Sequence, residues 1–422
     1  MFNTISMIGL GYIGLPTATL FASRKKKVIG VDVNQHAVDT INQGKIHIIE
    51  PDLDILVQAV VQQGYLRATT KPEPAEAFLI AVPTPFTEGH KPDVSYIKAA
   101  AEAIAPVLTK GNLVILESTS PVGTTEKLAE WLAAARPDLS FPQQKQESAD
   151  IQIAYCPERV LPGKVVHELV SNDRVIGGMT RTATFMAATL YKTFVQGDLV
   201  ETNARTAEMC KLTENSFRDV NIAFANELSM ICDKLNINVW ELIALANRHP
   251  RVNILQPGAG VGGHCIAVDP WFIVDKTPEE ARIIRMAREV NEYKPEWVLE
   301  KVKAAIADVL ADNPSKTMAD VKVACLGLAF KADIDDLRES PAVEITEKIS
   351  DFGCQVLAVE PNIEVLPNKL VRGNLVFSSL EKALPVADVL CVLVGHRSFT
   401  DGKQLIMQHA KIIDEVGLLH NK

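Results

Sequence analysis

The sequence predicts an α/β protein: two doubly wound parallel-sheet domains joined by a long central helix. Three observations predict it. Short, continuously apolar runs alternate with helical stretches at both ends of the chain, as strands covered on both faces by crossover helices require. The stretch from Asp198 to Arg248 contains neither Gly nor Pro, so nothing in it interrupts a helix. A glycine-rich turn, Gly9 to Gly14, stands between the first apolar run and the first helical stretch. At 422 residues the chain has room for two or three domains of ordinary size.

The elements follow in order. Apolar runs at 5–9, 28–33, 78–82, 113–117 and 151–155 read as strands, with helices near 14–24, 34–43, 51–63, 93–105 and 124–135. The stretch 136–150 is rich in Pro, Gln and charge and reads as a surface loop. From about 203 to 235, Met209, Leu212, Ser216, Val220, Phe224, Leu228, Ile231 and Leu235 recur every three or four residues, one stripe of a long helix. That stripe suits a connector and a dimer face; an ordinary core helix has the same periodicity. A second helical stretch covers 279–309, and 311–316 reads as a linker. Strands then recur at 321–326, 356–359, 389–394 and 411–413. The expected division is a first Rossmann-like domain over 1–202, a helical connector over 203–310 and a second Rossmann-like domain over 311–422.

Composition excludes several classes. The net charge is −9, which disfavours coating nucleic acid or an anionic membrane surface. The longest apolar runs span about six residues, far short of a membrane crossing, and the first residues lack a basic, signal-like segment. Seven scattered cysteines with no C-x-x-C pair fit a reduced, cytoplasmic protein. All but Cys265 fall in strand or helix patterns and read as buried structural residues. His249, His264, Cys265 and Asp269 raise a zinc reading, but their spacing matches no ligand pattern, and no metal is expected.

Gly9-Leu10-Gly11-Tyr12-Ile13-Gly14 fits G-x-G-x-x-G, follows a predicted strand and opens a helix. Gly9 permits the tight turn, Gly11 lets the backbone approach a pyrophosphate, and Gly14 lets helix and strand pack. Tyr12 and Ile13 lie at the helix start, whose amides and dipole attract an anion. Asp32 ends the second strand, 18 residues beyond Gly14. A carboxylate there accepts from a ribose 2′-hydroxyl and repels a 2′-phosphate, which favours NAD over NADP. Thr84 and Thr119 end two later strands on the same face and are candidate contacts, although turn chemistry alone also explains them.

Gly258 to Cys265 is a glycine-rich loop ending in a thiol, with Asp269 four residues on. Such a loop makes sense where backbone approaches a ligand or a side chain is delivered to one. A cysteine before a helix start acquires a lowered pKa and acts as a nucleophilic thiolate. The alternative is a buried structural cysteine.

Six motifs in order carry a resemblance over the whole length: G-L-G-Y-I-G at 9–14, T-x-P-V-G at 119–123, C-P-E-R-V-L-P-G at 156–163, K-L-x-E-N-S-F at 211–217, G-x-G-x-G-G-H-C-x-x-x-D at 258–269, and G-L-A-F-K with L-R-E-S-P at 327–341. The chain resembles the UDP-glucose/UDP-N-acetylhexosamine 6-dehydrogenase family, and C-P-E-R-V-L-P-G is similar to its branch acting on N-acetylated sugars. The resemblance implies oxidation of a C6 hydroxyl to a carboxylate with two NAD per sugar, through a thiohemiacetal and a thioester on Cys265. It implies that Lys211 and Asp269 handle protons and water, that Asn215 donates to an oxyanion, and that Glu158 is the base of thioester hydrolysis. It implies a UDP-N-acetylhexosamine bound by Arg159, Arg251, Asn253, Gly260, Phe330 and Lys331, with Arg338 supplying charge on the cofactor side or to a diphosphate. A homodimer or higher homo-oligomer is implied. The residues alone leave Lys211 open to a surface pair with Glu214, and Glu158 to a cap or loop ion pair. The rival readings are the same chemistry on another UDP-sugar and an inactive nucleotide-sugar-binding regulator.

Overall fold

The computed structural model describes residues 2–48, 50–160, 163–263, 265–409 and 411–420, and of Glu88 the backbone alone. It divides into two compact units, 1–214 with 275–277, and 215–274 with 278–422.

The first unit is built on eight strands: β1 Thr4–Ile8, β2 Lys27–Val31, β3 Leu66–Thr69, β4 Ala77–Ile80, β5 Leu113–Leu116, β6 Gln152–Tyr155, β7 Arg174–Gly178 and β8 Leu199–Asn203. Their order is β8-β7-β6-β5-β4-β1-β2-β3. All pairs are parallel except β6 with β7. Successive residues face opposite layers: Met7 and Leu79 join one core, Ile8 and Phe78 the other. That two-sided burial is why these strands read as continuous apolar runs. Strands β3, β7 and β8 escaped the sequence reading because their residues alternate with charge or are short on apolar side chains. The stretch 136–150 is not all loop; it holds a short helix, Pro142–Lys145.

The second unit carries five parallel strands: β9 Lys322–Leu326, β10 Gln355–Val359, β11 Leu375–Phe377, β12 Val389–Val392 and β13 Ile412–Asp414. Their order is β11-β10-β9-β12-β13. The long helix is continuous over Ala204–Leu235, with unit 1 taking its first eleven residues. A second, Arg282–Asp312, contains Pro295 and runs into the stretch expected to be linker.

The predicted stripe of the long helix is corrected. Leu212 and Ser216 are buried, whereas Met209, Phe224, Ile231 and Leu235 are exposed. The buried face is instead rich in polar groups, among them Glu208, Lys211, Asn215, Asp219 and Asn226. A hydropathy stripe cannot detect that face.

Candidate active site

The turn after β1 is crowded where its glycines require it. Gly9 has φ +91°, and a Cβ there would come within 2.4 Å of the Ala81 carbonyl oxygen. A Cβ on Gly14 would come within 1.8 Å of the Gly9 carbonyl oxygen. Gly11 faces open space. The loop is therefore fixed at both ends and open in the middle, the cradle a pyrophosphate needs. Asp32 ends β2 half-buried; its Oδ2 accepts from Leu10 N–H and its Oδ1 from Asn34 N–H, both at 2.9 Å. Tyr12 is exposed and Ile13 half-buried at the start of helix Gly14–Ser23. His47, which the sequence reading missed, lies beside Asp32; burial pushes its imidazole down while the Asp32 charge pulls it up. This arrangement fits a nicotinamide dinucleotide.

Two loops beyond this turn are tied together. Thr84 Oγ1 donates to the Thr119 carbonyl at 2.5 Å. Ser118 Oγ accepts from Val82 N–H at 2.9 Å and donates to Val82 O at 2.7 Å. Glu208, fully buried on the long helix, accepts from Gly123 N–H at 2.6 Å and from Thr125 N–H at 2.7 Å. Burial pushes its carboxyl up against the pull of those bonds. Glu50 anchors a third segment, beyond β6, accepting from Gly163 N–H at 2.9 Å and Val165 N–H at 2.7 Å. Neither glutamate was found from sequence, because each acts across 80 residues or more.

Glu158 follows β6 and accepts from Val160 N–H. Arg159 Nη2 lies 2.7 Å from Glu214 Oε1, and its Nε is 3.2 Å from Glu214 Oε2. The carboxylate available for a surface pair with Lys211 is thus engaged by Arg159, and Lys211 is buried. Behind Glu158 lies a charged cluster. Arg174 Nη1 is 3.7 Å from Glu117 Oε1 and 3.6 Å from Cys156 Sγ, and Tyr191 donates to Glu117 at 2.5 Å. Burial, with the Glu158 charge adding to it, raises the Glu117 carboxyl to about 7 against Arg174 and Tyr191. Burial also pushes the Cys156 thiol up, as a structural cysteine requires.

In the second unit, Cys265 is exposed and its carbonyl accepts from Asp269 N–H at 2.9 Å. One helical turn thus separates thiol and carboxylate, as the spacing predicts. Asp269 is buried at the start of helix Asp269–Lys276, and Asn215 Nδ2 donates to its Oδ2 at 2.5 Å. One N–H of the amide assigned to an oxyanion is therefore held on a carboxylate. The glycine loop is packed, not merely pliable. A Cβ on Gly260 would lie 2.9 Å from Pro341, and one on Gly262 would lie 2.4 Å from Glu339 O. On Gly263 it would meet the Phe330 ring at 3.1 Å. Arg251, Asn253 and Lys331 are exposed, Phe330 is half-buried, and exposed Arg338 pairs with Asp336 at 2.6 Å. Cys210 lies in the long helix as the pattern predicts but is half-buried, and Cys354 is buried as a structural cysteine although it stands one residue before β10 rather than inside a strand. Among the described residues no group of three His, Cys, Asp or Glu is placed to hold a metal ion. His264, Leu161 and Pro162 lie outside the described residues.

Three domain models of one family match in order: the NAD binding domain over residues 3–195, the central domain over 205–293 and the UDP binding domain over 324–421. The chain belongs to the UDP-glucose/GDP-mannose dehydrogenase family. Within it, the chain is 64% identical to a UDP-N-acetyl-D-mannosamine dehydrogenase of Yersinia pestis, over 99% of each chain. It is 63% identical to an NDP-N-acetyl-D-galactosaminuronic acid dehydrogenase of Ralstonia nicotianae, covering 99% of this chain and 96% of that one. A solved UDP-D-ManNAc dehydrogenase from Pyrococcus horikoshii superposes with a TM-score of 0.87 at 38% identity, covering 99% of this chain and 96% of that one. This family member is an NAD-dependent dehydrogenase with a UDP binding domain. No described helix is long and apolar enough to cross a membrane.

Proposed function

We propose that this dehydrogenase oxidises the C6 hydroxyl of UDP-N-acetyl-D-mannosamine to the carboxylate. The product, UDP-N-acetyl-D-mannosaminuronate, would serve a bacterial surface polysaccharide of the enterobacterial common antigen type. The observation that carries this reading is the 64% identity, end to end, to the Yersinia enzyme of that name. Identity of 63% to the Ralstonia enzyme favours a second reading, in which the sugar is an N-acetylgalactosamine.

NAD, when bound, accepts the hydride in each of the two oxidations. The other tasks fall to side chains. The Cys265 thiolate adds to the aldehyde carbon and retains it as a thiohemiacetal, so the aldehyde does not escape. After the second oxidation the thioester is hydrolysed by water, Glu158 taking its proton and the Cys265 thiolate leaving. Asp269, bonded to Asn215, and Lys211 move protons and handle the water, and the Lys211 ammonium and the Asn215 amide stabilise the oxyanion. Phe330 and Lys331 receive the nucleotide end, and Arg159, Arg251, Asn253 and Gly260 the sugar and phosphates. Gly9, Gly11, Gly14, Asp32, Thr84 and Thr119 hold the cofactor.

The proposal includes the three-part division at 202/203 and 310/311, a cytoplasmic location and a homodimer. Phe217, Phe224 and Ile231, spaced by seven on the long helix and 68%, 52% and 47% exposed, support the dimer. Turnover against a panel of UDP-sugars, with NADH counted, tests the function. Two NADH per UDP-N-acetyl-D-mannosamine is the expected result. One NADH per sugar removes the thiol mechanism, and no turnover of any sugar supports the inactive regulator.

A further inference from the structure

The loop after β9 is pinned at both ends by one buried pair. Glu360, ending β10, accepts from Leu328 N–H at 2.7 Å and Ala329 N–H at 3.0 Å on Oε2. His396, 0% exposed, lies with Nε2 2.9 Å from the same oxygen. Its Nδ1 accepts from Asp333 N–H at 2.9 Å. That acceptor role fixes the tautomer: Nε2 carries the proton and donates to Glu360. Asn362 Nδ2 approaches Nδ1 at 3.0 Å, and its N–H donates to Glu360 Oε1 at 3.0 Å. Burial raises the Glu360 carboxyl, but its bonds to His396, Leu328 and Asn362 outweigh that and hold it below its ordinary value.

The far end of the loop is strained. Asp333 has φ +62°, a left-handed conformation that favours glycine. It is held there by the His396 bond and by Arg397, whose N–H donates to Oδ1 at 2.9 Å and whose Nε lies 3.0 Å from Oδ2. Between the pinned ends stands Phe330. A Cβ on Gly262 would come within 2.8 Å of its Cβ, and one on Gly263 within 3.1 Å of its ring. Phe330 is therefore the wall against which the glycine loop preceding Cys265 is shaped.

We propose that His396 is a positioning residue: by bridging Glu360 to Asp333 it locks the 328–333 loop, so that Phe330 shapes both the uridine diphosphate site and the approach of Cys265. This rests on the reading of Phe330 as a nucleotide contact and Cys265 as the nucleophile. The imidazole touches neither ligand nor reacting atom; it acts through the loop.

Two measurements that need no turnover test it on the full chain: calorimetric affinity for UDP, and the rate at which iodoacetamide alkylates Cys265, read by peptide mapping. His396→Phe keeps a ring but loses both bonds. It is expected to weaken UDP binding about tenfold and to change the Cys265 alkylation rate severalfold, with NAD affinity unchanged. His396→Asn, which retains an acceptor near the Nδ1 position, is expected to recover part of both losses. If His396→Phe does not fold, His396→Asn and His396→Gln carry the test, since each removes one bond of the bridge. Wild-type UDP affinity and alkylation rate in every folded variant overturn the proposal. A wild-type enzyme that turns over no UDP-sugar overturns the functional reading instead, and that result is seen without any variant.

Discussion

The two nucleotide folds of this chain are the same device built twice, and their differences show what each is for. Gly9 N–H donates to Val31 O at 2.8 Å in the first, and Gly327 N–H to Val359 O at 2.8 Å in the second. Asp32 and Glu360 each end the next strand and accept from the residue after that glycine. Glu117 N–H donates to the end of β4, and Glu415 N–H to the end of β12, in matching places. The departures are chemical. Gly-Leu-Gly-Tyr-Ile-Gly becomes Gly-Leu-Ala-Phe-Lys-Ala, so the open Gly11 is replaced by buried Ala329. Asp32 stays half-exposed, whereas Glu360 is sealed by His396. A helix starts at Gly14 in the first fold but only at Pro341 in the second. The second fold has kept the scaffold and lost the features that cradle a dinucleotide.

The largest test of this comparison lies in the two matching glutamates. Glu415 faces Lys294, 0% exposed, at 2.9 Å, and Lys294 also donates to Ser229 at 2.8 Å. Burial pushes the Lys294 ammonium down, and Glu415 pulls it back. Lys294→Met removes the nearer of two lysines from the buried Glu415 carboxylate, leaving Lys301 at 3.8 Å, and is expected to cost about 3 kcal/mol in urea denaturation. Adding Glu415→Gln should recover much of that loss.

At the matching place in the first fold, Glu117 lies among Arg174, Cys156 and Tyr191. Its carboxyl is raised from 4.5 to about 7, so the folded state holds its proton more tightly than the unfolded chain does. The stability this lends is complete below about pH 4.5 and is lost as pH rises through about 7. Glu117→Gln should abolish that loss, worth about 3 kcal/mol, and flatten the urea midpoint between those limits. An unchanged pH dependence would show that Arg174 keeps Glu117 ionised.

Smaller effects separate the two acids. Asp32→Asn is expected to weaken NAD binding by about 10–100-fold, the value of a charged hydrogen bond to a ribose. Glu360→Gln should leave NAD affinity unchanged in the same titration. Smallest of all, Gly11→Ala should weaken NAD binding about tenfold or less with no change in stability, because its Cβ meets no protein atom. Ala329→Gly should give the second fold no affinity for NAD.

Much of this was legible in the sequence. Alternating apolar runs gave both sheets, and the glycine spacing marked a turn whose crowding at Gly9 and Gly14 the structure explains. Local chemistry was legible where it lies within one helical turn, as with Cys265 and Asp269. What escaped is long-range and polar. Glu208, Glu117 with Arg174, and Glu360 with His396 are residues of ordinary type, made significant by burial and by partners far along the chain. Hydrophobic periodicity misassigned the long helix for the same reason: its buried face is polar.

The central claim is that one fold takes the dinucleotide and the other the uridine diphosphate. Calorimetric titration of the full chain with NAD and with UDP, each in the presence and absence of the other, tests it most directly. Expected are one NAD site and one UDP site per chain, each filled whether or not the other is, with Asp32→Asn weakening NAD alone. Two NAD sites per chain, or displacement of NAD by UDP, would contradict it.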